Sequence, residues 1–285
     1  MPSFADIIQL SKVRLTASVV FSAIAGYFIA ADQFDVLLFT YLVIGGFLVV
    51  AASNGFNQIL EKEYDKLMAR TADRPLPTGR MSISEAFWIS LLMGLLGVFL
   101  FYRINFLSGF FGTLSIILYV LVYTPLKRIS PISVFVGSFP GAIPFMLGWV
   151  AATNDFDIEP GILFAIQFIW QFPHFWAIAW VCNDDYKKAG FKMLPGEKDK
   201  STAWKNVVYT FFLIPLSILP VFGITGSLQL SVIAAIFVAI ASVWFFSKAI
   251  TLFKELTDDS AKKLMFASFI YLPIIQLIYI LDKII

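Results

Sequence analysis

Apolar runs of about twenty residues recur along this chain, and nothing else restricts its fold so tightly. Wound as a helix, such a run matches the hydrocarbon thickness of a bilayer. A helix also satisfies every backbone amide within its own segment, which lipid requires. Nine spans are expected, near residues 13–31, 36–56, 84–102, 106–124, 132–152, 161–182, 204–222, 228–247 and 265–282. Of 285 residues, 59% are hydrophobic and 14% charged, whereas a soluble domain has about a quarter of its residues charged. The fold class is therefore all-α, a polytopic bundle of nine transmembrane helices in the lipid bilayer. Short turns such as Asp32–Asp35 and Gly223–Gly226 join most spans. No linker or low-complexity segment divides residues 1–285, so one transmembrane domain is expected.

The cations set an orientation. Lys12 and Arg14 precede or open the first span, and the other basic clusters fall after spans two, four, six and eight. That puts 19 of the 21 Lys and Arg residues on one face, with Arg103 and Lys283 opposite. By the excess of positive charge inside, the N-terminus and the even-numbered loops are cytoplasmic. A plasma (inner) membrane location follows as an expectation. Because the cations are confined to particular loops, the net charge of +2 gives no signature of nucleic-acid binding, and none is expected. Cys182 is the one cysteine, so no internal disulfide forms and no metal-ligand spacing is present. The first residues lack the basic start and short apolar core of a cleaved signal peptide. They suit a short interfacial helix with Phe4, Ile7 and Ile8 on its apolar side, or an ordinary terminus.

Chemistry is concentrated after span two. Asn57, Glu61 and Asp65 lie four residues apart, so on a helix they share one face. Lys62, Lys66, Arg70 and Arg74 repeat at the same spacing on a neighbouring stripe, ahead of Pro75 and Pro77. Carboxylates beside guanidinium groups suit a divalent cation carrying a diphosphate. A solvated helix end with i,i+4 ion pairs is the alternative. Glu63 points away from the shared face. After span six, Asp184 and Asp185 are followed by Lys187, Lys188 and Lys192, an echo of the first cluster. Upstream, Gln167, Gln171, His174 and Asp185 recur nearly on one face, which would put His174 roughly 16 Å deeper than Asp185. Pro173 is placed to disturb that phase. Polar groups at such depth face a cavity or another helix. His174, the only histidine, is a structural group or a substrate contact. Trp170, Phe172, Phe175 and Trp176 flank this line as candidate pocket walls. At the end of span four, Tyr123 and Lys127 are four residues apart around Pro125, either a site pair or an interfacial belt. Arg14 has the same two readings.

Two carboxylate–cation clusters on one face of an apolar bundle describe a site for an isoprenyl diphosphate. The charged head would stay at the surface and the tail in the bundle. Breaking an allylic C–O bond releases diphosphate, and cations that stabilise the leaving charge accelerate it. The allylic cation left behind needs a dry cavity and aromatic faces.

At these residues the chain resembles the UbiA-type intramembrane prenyltransferase superfamily. The matching segments are Asn57-x3-Glu61-x3-Asp65 with Arg70-Thr-x2-Arg74-Pro-Leu-Pro-Thr-Gly79, then Tyr123-Thr-Pro-Leu-Lys127-Arg128. The third is Gln171-Phe-Pro-His174-Phe-Trp running into Asp184-Asp185-Tyr186 and Lys192-Met-Leu-Pro195. That third segment is similar to the branch of the superfamily that farnesylates heme, and the match is good over spans one to six. The resemblance implies transfer of a farnesyl group from farnesyl diphosphate to a vinyl group of heme B with water added, giving heme O, and Mg2+ as cofactor. It implies Asn57, Glu61 and Asp65 as the first metal motif and Asp184 and Asp185 as the second, with Asn57, Glu61, Asp65 and Asp185 catalytic. Arg70, Arg74, Tyr123 and Lys127, joined by Lys66 and Lys188, would contact diphosphate, and His174 and Arg14 heme. Heme A synthase or oxidase assembly factors would act downstream as partners. Glu61 stands where Asp is usual, and Gln58 and Ala189 stand where quinone-type members carry Asp. A prenyltransferase of aromatic acids or quinone precursors, or a non-catalytic heme carrier, are the other readings.

Overall fold

A computed structural model describes residues 2–285, which form helices and, among the described residues, no strands. The chain runs α1 (Phe4–Ser11), α2 (Val13–Ala30), α3 (Val36–Asp65), α4 (Ile83–Ile104) and α5 (Phe106–Ile117). A π-helical stretch (Leu118–Tyr123) leads into the short α6 (Thr124–Leu126). Then come α7 (Ser133–Thr153), α8 (Ile158–Val181), α9 (Asn183–Lys188), α10 (Lys200–Ile218) with a 3-10 turn (Leu219–Phe222), α11 (Val232–Glu255) and α12 (Asp258–Ile284). Among the described residues nine helical segments are long and apolar enough to cross a membrane, as the hydropathy implies.

The spans differ from expectation mainly at their polar ends. Hydropathy stops near residue 56, but α3 continues to Asp65, 30 residues in all. Its last turns are held by burial of a polar face, with Asn57, Gln58, Glu61 and Asp65 inside. α12 begins at Asp258 because Thr257 and Ser260 form a capping box there.

In lipid, apolar area gives helices no reason to associate, so close contact and small residues decide the packing. α7 is the central helix, with most of its residues buried against α2, α5 and α8. A Cβ at Gly148 would fall 1.9 Å from the Ala23 carbonyl, and one at Gly26 2.0 Å from that of Phe145. Only glycine lets α2 and α7 approach so closely. α8, α10, α11 and α12 close the other side, and α12 returns to α2. Large side chains left exposed, such as Leu92, Leu95 and Phe99 on α4 and Ile233, Phe237 and Ile240 on α11, form the lipid-facing surface.

α1 is more than an interfacial helix. Phe4 and Ile8 are exposed, but Ile7 and Leu10 pack with Leu76, Met81 and Ala86. Arg80 reaches Asp6 at 2.9 Å, Gln9 at 2.8 Å and Asp73 at 3.1 Å. These contacts fasten the loop after α3, which carries Arg70 and Arg74, to the N-terminal segment.

Candidate active site

The polar end of α3 faces a cavity of about 100 Å3. Asn57, Glu61 and Asp65 enter from α3, and Arg70 and Arg74 from the loop after it. Tyr119 and Tyr123 come from the π-helical stretch, with Lys127 just beyond it. Lys12 enters between α1 and α2. Four cationic side chains thus surround two carboxylates, a balance that favours an anion. Arg74 Nη1 lies 2.6 Å from Asp65 Oδ2, and Lys127 Nζ lies 2.7 Å from Glu61 Oε1. Lys127 Nζ also sits 4.7 Å from the centre of the Tyr123 ring. Pro125 does not separate this pair. A Cβ at Gly137 would meet the Tyr123 ring at 2.6 Å, so that glycine makes room for the phenol.

The hydrogen bonds fix which atoms remain free. Thr124 Oγ1 donates its one proton to the Tyr119 carbonyl at 2.8 Å, so it must accept from Asn57 Nδ2 at 3.1 Å. Asn57 Oδ1 is then the end left for another partner. Asp65 Oδ1 is buried with no hydrogen-bond partner, a costly state for a carboxylate oxygen unless a cation completes it. Among the described residues no three His, Cys, Asp or Glu side chains converge as a metal cage. Asn57, Glu61 and Asp65 are hard oxygen donors, too few to enclose an ion without help. That set fits Mg2+, which keeps waters and substrate oxygens in its shell.

Several expected residues lie elsewhere. Lys66 donates to Glu63 at 2.7 Å on the exposed side of α3. Lys188, also exposed, pairs with Asp185 at 3.2 Å. Asp184 is exposed and Asp185 half-buried, and neither lines the cavity. The reason is a break in the helix. α8 ends at Val181, Cys182 leaves helical geometry, and α9 starts afresh at Asn183. The polar line from Gln167 therefore stops short of Asp185, and the two carboxylate groups are not brought together. Arg14 is exposed and lines neither cavity. From the second loop the cavity instead receives Tyr186, Phe191 and Met193. Lys192 N donates to the Lys127 carbonyl at 2.7 Å and ties that loop over the site. Burial raises the Tyr186 phenol above its ordinary value, so it stays a neutral hydrogen-bond donor.

Lys12 escaped the sequence reading. It caps two helices at once in left-handed geometry, φ +45°, at a cost of roughly 1–2 kcal/mol. Burial, with Arg74 and Lys127 nearby, pushes its amine down to about 7. A non-glycine residue in that conformation cannot be read from residue type. Lys127 goes the other way. Burial, the largest single influence, would lower it, but the Glu61 carboxylate together with Tyr119 and Tyr186 raises it above its ordinary value, so the ammonium is charged.

Deeper in the bundle lies a second cavity of about 270 Å3, lined largely by apolar side chains of α2, α3, α7, α8 and α12. Tyr119 and Tyr123 line both cavities. Leu15, Ser18 and Phe269 line the deep one and are exposed on the flank of the bundle. Gln167, Gln171 and His174 border it, as do Trp170 and Phe175, while Phe172 and Trp176 belong to the packed core. The glutamines serve largely as interhelical bonds. Gln171 Nε2 donates to the Ser138 carbonyl at 3.0 Å, and Gln167 Oε1 accepts from Phe145 N at 3.2 Å. Both brace α7, a helix interrupted by Pro140 and Pro144.

Residues 19–271 match the model of the UbiA prenyltransferase family. A Christiangramia forsetii protein named protoheme IX farnesyltransferase is 54% identical over 279 residues, covering 98% of this chain and 93% of that protein. Among solved structures, one titled as a digeranylgeranylglyceryl phosphate synthase superposes with a TM-score of 0.82 at 23% identity, covering 98% of both chains. An Archaeoglobus fulgidus UbiA homologue bound to DMAPP and Mg2+ superposes with a TM-score of 0.71 at 16% identity, covering 98% of both chains.

Proposed function

The chain belongs to the UbiA prenyltransferase family, and on that premise we propose that it transfers a farnesyl group from farnesyl diphosphate to a vinyl group of heme B, with water added, giving heme O. The observation that carries this reading is the junction at Tyr119 and Tyr123, where a cationic cavity opens on an apolar one. A diphosphate head and a hydrocarbon tail need that pairing of environments. The heme acceptor is supported by the name of a relative 54% identical over nearly the whole chain, and by His174 on the apolar cavity. Mg2+ is supported by the structure of the Archaeoglobus homologue, which holds Mg2+ with DMAPP. The face with the polar cavity is cytoplasmic on the distribution of cations, in the plasma membrane, and one domain carries the whole activity.

Each residue has a part. Arg70, Arg74, Lys12 and Lys127 hold the diphosphate and take up its charge as the C–O bond breaks. Asn57 Oδ1, Glu61 and Asp65 Oδ1 would hold Mg2+, which when bound adds charge neutralisation at the leaving group. Tyr119 and Tyr123 present ring faces where the allylic cation develops, at the dry side of the junction. Asp184, Asp185, Lys66, Lys188 and Arg14 are left out of the reacting set, because each lies outside both cavities.

Purified protein given heme B, farnesyl diphosphate and Mg2+ is expected to yield the mass of hydroxyethylfarnesyl heme. Product with 4-hydroxybenzoate but none with heme would move the assignment to an aromatic acceptor. No product with any acceptor would favour a heme carrier.

Lys12 gives this site a pH signature. Its amine is near 7 in the free protein, and an adjacent polyanion raises it. Above about pH 7 binding then takes up a proton, and affinity falls as pH rises, by up to about tenfold per pH unit. Below about pH 7 the amine is already charged and the slope flattens. Titrating Mg2+ and inorganic pyrophosphate across this range, wild type should lose more affinity than Lys12→Met as pH rises. The ligand's own titration is common to both. Equal slopes would remove Lys12 from the anion site.

A further inference from the structure

His174 is held in one tautomer by α12. Ser268 Oγ donates its single proton to the Met265 carbonyl at 2.6 Å. The same oxygen lies 2.8 Å from His174 Nδ1, so it can only accept there, and Nδ1 carries the ring hydrogen. Nε2 therefore bears the lone pair, and it has no hydrogen-bond partner among the described residues. The ring is clamped as well. Trp170 stacks on it with centroids 4.5 Å apart and donates from Nε1 to the Ser268 carbonyl at 3.0 Å. Phe269 meets it at 82°. A neutral imidazole with a free lone pair thus borders the apolar cavity that the acceptor would enter. Histidines that bind metals commonly show this arrangement, donating the other ring N–H to a fixed oxygen.

We propose that Ser268 is a positioning residue that presents His174 Nε2 to the iron of the heme acceptor as an axial ligand. This rests on the heme reading given above. A coordinate bond forms from the Nε2 lone pair to iron, an axial water leaves, and no proton moves, because the ring hydrogen is already on Nδ1. Anchoring by iron fixes the macrocycle against α8 and α12. One edge is then free to turn toward the allylic carbon at Tyr119 and Tyr123.

The test is resonance Raman spectroscopy of ferrous heme B bound to the full-length protein without prenyl diphosphate, alongside a heme titration. Wild type should show an iron–histidine stretching band. His174→Gly should lose it, and added imidazole should restore it. Ser268→Ala should keep the band at lower frequency, because the Nδ1 hydrogen bond is gone, with heme affinity down about tenfold. Ser268→Thr keeps the hydroxyl and should return both values toward wild type. An unchanged band in His174→Gly, or saturable heme binding by wild type with no such band, overturns ligation. A wild-type frequency in Ser268→Ala overturns the positioning role, and that comparison decides alone if His174→Gly does not hold its fold. Absence of saturable heme binding by wild type overturns the heme reading itself.

Discussion

Asp65→Asn should lower turnover about 1000-fold or more while leaving the bundle assembled. Asp65 divides its two oxygens between two jobs. Oδ2 holds Arg74 at 2.6 Å, and Oδ1 is buried without a partner. Asparagine keeps the volume and an oxygen for the guanidinium, so the loop after α3 stays in place. It removes the charge that makes an unpartnered oxygen in this cavity intelligible. Alanine is a blunter tool, because it strands Arg74, largely buried, beside nothing, and an uncompensated buried charge costs about 3–5 kcal/mol. Loss of activity in Asp65→Ala would then mix folding with chemistry. A second readout separates them. The affinity of Asp65→Asn for pyrophosphate should fall about tenfold or more with Mg2+ present and change little without it. Wild-type turnover in Asp65→Asn, or an unaltered Mg2+ effect, would end the metal role given to this carboxylate.

The bundle was legible because hydropathy reports what lipid demands of a backbone, and the nine spans follow from it. The convergence of Asn57, Glu61 and Asp65 on one cavity of the candidate site was legible for a related reason. Three oxygen-bearing residues at helical spacing stay on one face wherever the helix persists, and α3 persists to Asp65. The place of Asp185 was not. Extrapolating the face of Gln167, Gln171 and His174 to Asp185 assumed one unbroken helix, and Cys182 breaks it. Cations misled in the same way. Lys66 and Lys188 have the right charge, but each closes an i,i+3 ion pair at the surface, which composition cannot distinguish from a ligand contact. The opposite error fell on Lys12. It has no motif, and what brings it to the cavity is a left-handed residue between α1 and α2. Tyr186, Phe191 and Met193 reach the site through loop contacts such as Lys192 N to Lys127 O, and these have no periodicity to read. Ser268 belongs to the same class, since only the packing of α12 on α8 brings it to His174.

Lys127→Met is expected to lower both stability and turnover, and the companion change Glu61→Gln should separate the two losses. Lys127 and Glu61 form a buried pair at 2.7 Å. Methionine fills the space of the lysine stem but leaves the Glu61 carboxylate without its partner, which should cost about 3–5 kcal/mol. Thermal unfolding in detergent reads this as a lowered midpoint. In the double variant Lys127→Met with Glu61→Gln no charge is stranded, so most of that stability should return. Turnover should not return. The ammonium sits over the Tyr123 ring at the border of the two cavities, the place where the proposed reaction would build charge on the leaving diphosphate. Removing a fixed cation from such a place costs about 100-fold or more, and Glu61→Gln cannot restore it. Recovery of turnover together with stability would mean that Lys127 serves only to neutralise Glu61. Because Glu61 is itself placed at the metal, the reference for turnover is Glu61→Gln alone, and a double variant about 100-fold below that reference would mean that the site needs the Lys127 charge.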